Sequence, residues 1–216
     1  MKFFLDTGNV DQIKRGLEWG LVDGVTTNPT KIAQEGLEFE PLVREIAELV
    51  DGPVSAEVIS TDTAGMIEEA RELSSWAANI VVKIPLIPDG IKAVNVLSEE
   101  GIKTNVTLCF SANQAILAAK AGGTYISPFV GRSVDTGYDG MKIVADIKQM
   151  IDNYGWDIEI IVSSTRDPMM VRQSAVIGAH IATMPFELME LLFHHPKTEE
   201  GLEGFLQDWE EYQANL

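Results

Sequence analysis

A chain of 216 residues, 45% hydrophobic and 23% charged, is long enough to bury a sizeable core in one large domain. No run is long and apolar enough to span a membrane, and Asp6 interrupts the N-terminus too early for a signal peptide's apolar region. The formal charge of −17 argues against nucleic acid or an anionic membrane as a general partner, though a few local arginines still admit small anionic substrates; the single cysteine, Cys109, excludes an internal disulfide and points to a reducing cytoplasm.

Strand and helix patterns alternate along the chain. Residues 2–6 read as a short strand and 10–19 as an amphipathic helix. Residues 23–26 form a second strand, 27–30 a loop and 39–50 a helix. The third strand covers 53–58, and the helix after it 63–77, with Thr61 or Asp62 as its N-cap. The fourth strand, 80–84, precedes a helix over about 90–100. Gly101 closes that helix; a strand follows at 102–107 and a helix at 111–121, stopped by Gly122-Gly123. Residues 124–127 and 140–153 make the sixth pair, 158–162 and 168–177 the seventh, 179–183 and 185–193 the eighth. A polar tail helix over about 198–214 is left over.

Eight strand–helix units of roughly 25 residues suggest a closed, single-domain (β/α)8 barrel spanning 1–216, the TIM-barrel architecture, with an extra C-terminal helix. An open doubly wound sheet is the alternative, but the first strand is followed by no G-x-G-x-x-G turn and the chain has no P-loop.

In such a barrel, chemistry gathers at the C-terminal ends of the strands. Those ends carry Asp6, Thr26 to Asn28, Glu57, Lys83, Asn105, Thr107, Ser127 and Ser164. Lys83 stands inside an apolar, β-branched run, Ile80-Val-Val-Lys-Ile84. Two readings are open for it. Its stem can be buried while its head reaches water. Alternatively it is a buried nucleophile, since burial disfavours the charged form of a lysine and a neutral lysine forms Schiff bases with carbonyls. Asn105 and Thr107 share one strand face, and Ser164 and Arg166 have the same two-residue spacing. Phe129-Val-Gly-Arg132 and Ser163-Ser-Thr-Arg166 each set an arginine just beyond a strand end, which suits phosphate. Asp6 reads equally as a turn cap, and Asn28 before Pro29 is an ordinary turn signal.

Other residues carry less. His180 reads as a satisfied core histidine, and His194-His195 lack the partner spacing of a metal site. Cys109, between Leu108 and Phe110, reads as a small buried apolar residue. Leu202, Phe205, Leu206, Trp209 and Tyr212 stripe the tail helix, to close the barrel bottom or to dock on a neighbouring subunit.

Six segments, in order, resemble the small transaldolases, the short bacterial and archaeal branch of the transaldolase family. They are Phe3-Phe-Leu-Asp-Thr7, Gly24-Val-Thr-Thr-Asn-Pro-Thr30, Val82-Lys-Ile-Pro85, Thr104-Asn-Val-Thr107, Ile126-Ser-Pro-Phe-Val-Gly-Arg132 and Ser163-Ser-Thr-Arg166. The resemblance implies a Schiff-base mechanism with no metal or other cofactor, and sugar phosphates as substrates. Lys83 looks like the Schiff-base lysine and Asp6 like the carboxylate that takes the C4 hydroxyl proton as C3–C4 breaks. Glu57 and Thr107 look like the pair that holds a catalytic water. Asn28, Asn105 and Ser127 match positions that hold dihydroxyacetone hydroxyls, with Thr26 and Phe129 beside them; Arg132, Ser164 and Arg166 match the phosphate end.

A fructose-6-phosphate aldolase branch carries Gln in place of Glu57 and Tyr in place of Phe129. The residues here therefore imply transfer, with aldolase release of free dihydroxyacetone as the alternative. Relatives often have an aromatic where Thr165 stands, which implies looser packing at the phosphate end. The resemblance also implies a homo-oligomer, often a ring-based decamer with exchanged C-terminal helices.

Overall fold

The structure is a computed structural model that describes residues 1–216, the side chain of Gln34 excepted. Its strands are β1 (Lys2–Asp6), β2 (Gly24–Thr26), β3 (Val54–Glu57), β4 (Ile80–Pro85), β5 (Thr104–Cys109), β6 (Tyr125–Pro128), β7 (Glu159–Val162) and β8 (Ile181–Met184). Each pairs in parallel with the next, and β8 returns to β1 through Phe3↔Ala182 and Phe4↔Thr183. The sheet is thus a closed (β/α)8 barrel, and the open-sheet alternative is excluded.

The helices are α1 (Val10–Glu18), α2 (Pro29–Glu35), α3 (Phe39–Leu49), α4 (Thr63–Ser75), α5 (Pro88–Glu99), α6 (Ala112–Lys120), α7 (Val130–Asp135), α8 (Gly140–Tyr154), α9 (Pro168–Ile177), α10 (Phe186–Leu191) and α11 (Pro196–Ala214). Helix α4 is capped by Asp62, whose side chain accepts from the Gly65 N–H, which settles the choice between Thr61 and Asp62. Two short helices, α2 and α7, go beyond the sequence expectation. The loop expected at 27–30 is where α2 begins: Asn28 caps it by accepting from the Lys31 N–H, and Pro29 occupies its first turn.

Strand alternation sorts the side chains into layers. On β4, Val82 and Ile84 belong to the large cluster between barrel and helices, together with Ala93, Val94 and Leu97 of α5. Val81 points the other way, into an inner cluster with Phe4, Tyr125, Ile161 and Ile181 that plugs the barrel. The Phe4 ring fits because Gly24 beside it has no side chain; a Cβ there would lie 2.5 Å from the ring. Removing so fully buried a ring would cost about 3–5 kcal/mol. Two residues further along the same five strands, on the same face, stand Asp6, Lys83, Ser127, Ser163 and Thr183. The apolar plug is therefore the floor on which a polar layer rests.

Helix α11 does not close the barrel. None of its residues is buried, and its apolar stripe is more than half exposed, from Tyr212 at 54% to Phe205 at 75%. Of the two readings of that stripe, the plug at the barrel bottom is excluded in a single chain. Among the described residues no helix is long and apolar enough to cross a membrane.

Candidate active site

A cleft opens at the C-terminal ends of the strands, where chemistry gathers in barrels of this kind. Of the residues expected at the site, all line it except Glu57, Thr107 and Arg166; Ser163, from the Ser163-Ser-Thr-Arg166 segment, lines it too, and Thr183 joins it unforeseen.

Lys83 rises from β4 into this cleft and is only 5% exposed. The β3–β4 register sets Glu57 directly opposite it, and the lysine Nζ lies 3.1 Å from Glu57 Oε2. The same ammonium donates to the Thr27 carbonyl at 3.2 Å. Glu57 is therefore excluded from the cleft lining because it sits behind the lysine. Glu57 also lines a second hollow, with Phe39, Ile59, Leu73, Trp76 and two further carboxylates, Glu69 and Glu72. Breaking a buried pair of this kind by removing one partner is costly, because it leaves an uncompensated charge.

Thr107 stands on β5 two residues beyond Asn105, the register partner of Lys83, and is itself opposite Pro85. It is fully buried, and its hydroxyl oxygen has no hydrogen-bond partner. Buried polar atoms are rarely left so, and such an atom is a place for an ordered water.

Side-chain hydrogen bonds hold several of the other cleft residues. Asn105 donates to Ser55 Oγ at 3.2 Å and accepts from the Ser127 hydroxyl at 2.7 Å, which pins its amide plane. Asn28 uses its oxygen to cap α2, so its NH2 is left for the cleft. The turn reading of Asn28 and its place in the site thus hold together. Asp6 Oδ1 accepts from the Thr26 hydroxyl at 3.0 Å, and Thr26 Oγ1 lies 2.7 Å from Thr183 Oγ1.

Arg132 and Ser164 mark the remaining end. The Arg132 guanidinium lies over the Phe129 ring, 5.0 Å from its centroid. Among the described residues Ser164 (φ 61°) and Leu108 (φ 59°) are the non-glycine residues in the left-handed region; Ser164 lines the cleft, and Leu108 lies near the end of β5. Gly131 donates its N–H to the Ser164 carbonyl at 3.1 Å. A Cβ on Gly131 would come within 2.2 Å of that carbonyl and 2.8 Å of Arg166 Nε, so the close approach requires glycine. Arg166 does not face the cleft. It makes a two-point pair with Asp135 of α7, at 2.5 and 2.6 Å. Those hydrogen bonds hold the Asp135 carboxyl below the usual carboxylate range. Thr165 is buried, and its hydroxyl donates to the Thr183 carbonyl at 2.5 Å. The segment between Ser164 and Arg166 is therefore tied down rather than loosened.

The other candidates fall outside. His180 Nδ1 accepts from the Ile160 N–H at 3.0 Å, as expected of a satisfied histidine, and burial pushes its pKa down. His195 caps α11 by accepting from the Lys197 N–H, and His194 lies 3.7 Å from Glu199. Among the described residues no group of three or more His, Cys, Asp or Glu is placed to hold a metal. Cys109 is fully buried, with burial pushing its thiol up to about 12. Native protein at pH 8 is expected to resist iodoacetamide, with alkylation of Cys109 appearing only in denaturant; fast native labelling by mass spectrometry would contradict this burial.

Fold and site together define a (β/α)8-barrel protein with a lysine–carboxylate pair at the catalytic end of the barrel. A family model described as Transaldolase/Fructose-6-phosphate aldolase matches residues 3–216. A probable transaldolase of Petrotoga mobilis is 57% identical over 216 residues, covering 100% of this chain and 98% of that one. One of Aquifex aeolicus is 60% identical over 210 residues, 97% of each chain, and one of Methanococcus maripaludis is 59% identical over 210 residues, 97% of this chain and 98% of that one. Among solved structures, inosine 5′-monophosphate dehydrogenase from Legionella pneumophila matches with a TM-score of 0.59 at 13% identity, over 85% of this chain and 58% of that one, which shows the fold alone. The chain belongs to the transaldolase/fructose-6-phosphate aldolase family and is an enzyme of the aldolase/transaldolase type.

Proposed function

We propose that the protein is a transaldolase that moves a dihydroxyacetone unit between sugar phosphates through a Schiff base on Lys83. The observation that carries this reading is the buried Lys83 ammonium, 3.1 Å from Glu57, at the base of a polar cleft. Glu57 can accept a proton from Lys83, directly or through a water held with the unpartnered Thr107 hydroxyl. The free amine then attacks the C2 carbonyl of a ketose phosphate, and loss of water from the carbinolamine gives the iminium. Asp6 takes the proton of the C4 hydroxyl. The C3–C4 bonding electrons flow into the iminium to leave an enamine, and C4 departs as the aldehyde carbon of an aldose phosphate. A second aldose phosphate reverses these steps. In this account Asn28, Asn105 and Ser127 hold the dihydroxyacetone hydroxyls, and Arg132, Ser164 and Arg166 take the phosphate. Arg166 must then exchange Asp135 for the phosphate oxygens, a like-for-like trade of two-point contacts.

The reaction is sedoheptulose 7-phosphate plus glyceraldehyde 3-phosphate to erythrose 4-phosphate plus fructose 6-phosphate, a step of the non-oxidative pentose phosphate pathway in the cytoplasm. No nucleic acid or membrane takes part. The exposed stripe of α11 supports a homo-oligomer, such as a decamer, in which that helix packs on a neighbouring copy.

The second reading is an aldolase that releases free dihydroxyacetone. Phe129 favours transfer, because its ring lines the cleft and has no hydroxyl to protonate the enamine. The test is a paired assay on fructose 6-phosphate: transfer to erythrose 4-phosphate against release of dihydroxyacetone without acceptor. Transfer is expected to exceed release by about 100-fold or more, the scale of one lost acid–base contribution. Phe129→Tyr is expected to raise release at least tenfold, a partial recovery of that ~100-fold scale. Release as fast as transfer in the wild type would favour the aldolase.

A further inference from the structure

We infer that Thr183 is a positioning residue for bond cleavage, acting on Asp6 through the Thr26 hydroxyl. The three side chains form a line across the seam where the barrel closes. Phe4↔Thr183 and Asp6↔Thr26 are register partners, so β8, β1 and β2 bring them to the same face. Thr26 and Thr183 are buried, at 3% and 2% exposure, and all three residues line the cleft.

Counting protons sets the direction of the line. An ionised carboxylate only accepts, so the 3.0 Å contact uses the one proton that Thr26 carries. The 2.7 Å contact between the hydroxyls must then be filled by the proton of Thr183. Thr183 donates to Thr26, and Thr26 donates to Asp6 Oδ1. Each donation polarises the next. Oδ1 is thereby occupied, and Oδ2 is left to meet substrate.

This role rests on the proposed transfer chemistry at Lys83. In that chemistry the C3–C4 bond breaks only as the C4 hydroxyl proton passes to Asp6. The bond's electrons enter the iminium, and the C4 oxygen becomes the carbonyl of the leaving aldose. A carboxylate free to rotate would meet that proton less often. Without the Thr183 proton the buried Thr26 oxygen loses its only donor, and its own proton is no longer steered to Asp6. Imine formation at Lys83 involves neither threonine and should survive.

The experiment reduces the protein with borohydride in the presence of fructose 6-phosphate and reads the intact mass, beside steady-state transfer assays. Thr183→Val keeps the shape and removes the hydroxyl; Thr183→Ala removes it without any risk of crowding. In both, kcat is expected to fall roughly threefold to thirtyfold, less than the ~100-fold of a 1 Å misplacement, with KM within about twofold. The trapped adduct should shift from the three-carbon unit toward the intact six-carbon donor. Thr183→Ser should restore both readouts. Thr26→Val with Thr183→Val should be no slower than Thr26→Val alone, because Thr183 acts through Thr26. An unchanged adduct ratio in the Val and Ala variants, no recovery in Thr183→Ser, or losses that multiply in the double variant would overturn the role. A wild type that traps no adduct would instead overturn the Schiff-base chemistry on which it depends.

Discussion

Lys83→Met is expected to cut transfer by about 10,000-fold or more, the scale on which enzymes lose a covalent nucleophile. Methionine fills nearly the same space and leaves the cleft walls in place, but offers no nitrogen for an imine. The loss should fall on kcat, because the hydroxyl and phosphate contacts stand on other strands. Stability should change less than removal of a fully buried partner would suggest. A lone buried carboxylate costs about 3–5 kcal/mol, but Glu57 keeps 15% side-chain exposure and so some contact with water. Activity above about one part in a hundred of wild type, measured on protein with unchanged circular dichroism, would contradict the nucleophile.

Glu57→Gln is the second large effect. The amide keeps the shape beside Lys83 but accepts a proton far less well than a carboxylate. Proton transfers around carbinolamine and imine should slow, and kcat should fall by about 100- to 10,000-fold. The variant also leaves the buried Lys83 ammonium without its partner at 3.1 Å. In a domain of this size each kcal/mol moves Tm by about 2–4 °C, so a drop of several degrees is expected. Borohydride trapping should still reach completion, only more slowly, because the nucleophile is intact. Unchanged kcat, read from initial rates, would show that Glu57 serves only as a counter-ion.

Much of this arrangement was legible in the sequence because the barrel rests on period-two alternation. The run around Lys83 announced a buried strand, and the same spacing put Asn105 and Thr107 on one face. Other parts needed the closed barrel. Thr183 looks like any β-branched strand residue until closure brings β8 beside β1, through Phe4↔Thr183. Ser55 likewise gains meaning only as the acceptor for Asn105. The spacing in sequence turns Arg166 toward the cleft, but its partner Asp135 lies 31 residues away, on a helix with no sequence signal of its own.

The two missed helices differ in kind. Helix α2 carries its signals, an Asn28 cap and Pro29 in the first turn, but the same residues also signal a turn. Helix α7 carried none. It is six residues long, with two valines and a glycine, all weak helix formers. It is held instead by the Val130 and Gly131 N–H groups donating to the carbonyls of Ser163 and Ser164. The tail helix shows the reverse case: its stripe was plain in the sequence, yet a single chain leaves it uncovered.

The central claim is that Lys83 holds the substrate covalently. Borohydride reduction of the wild type with fructose 6-phosphate, followed by peptide mapping, tests it most directly. The account predicts a reduced dihydroxyacetone adduct on the peptide that contains Lys83, absent from Lys83→Met. No adduct in the wild type, or the same adduct in the methionine variant, would contradict it.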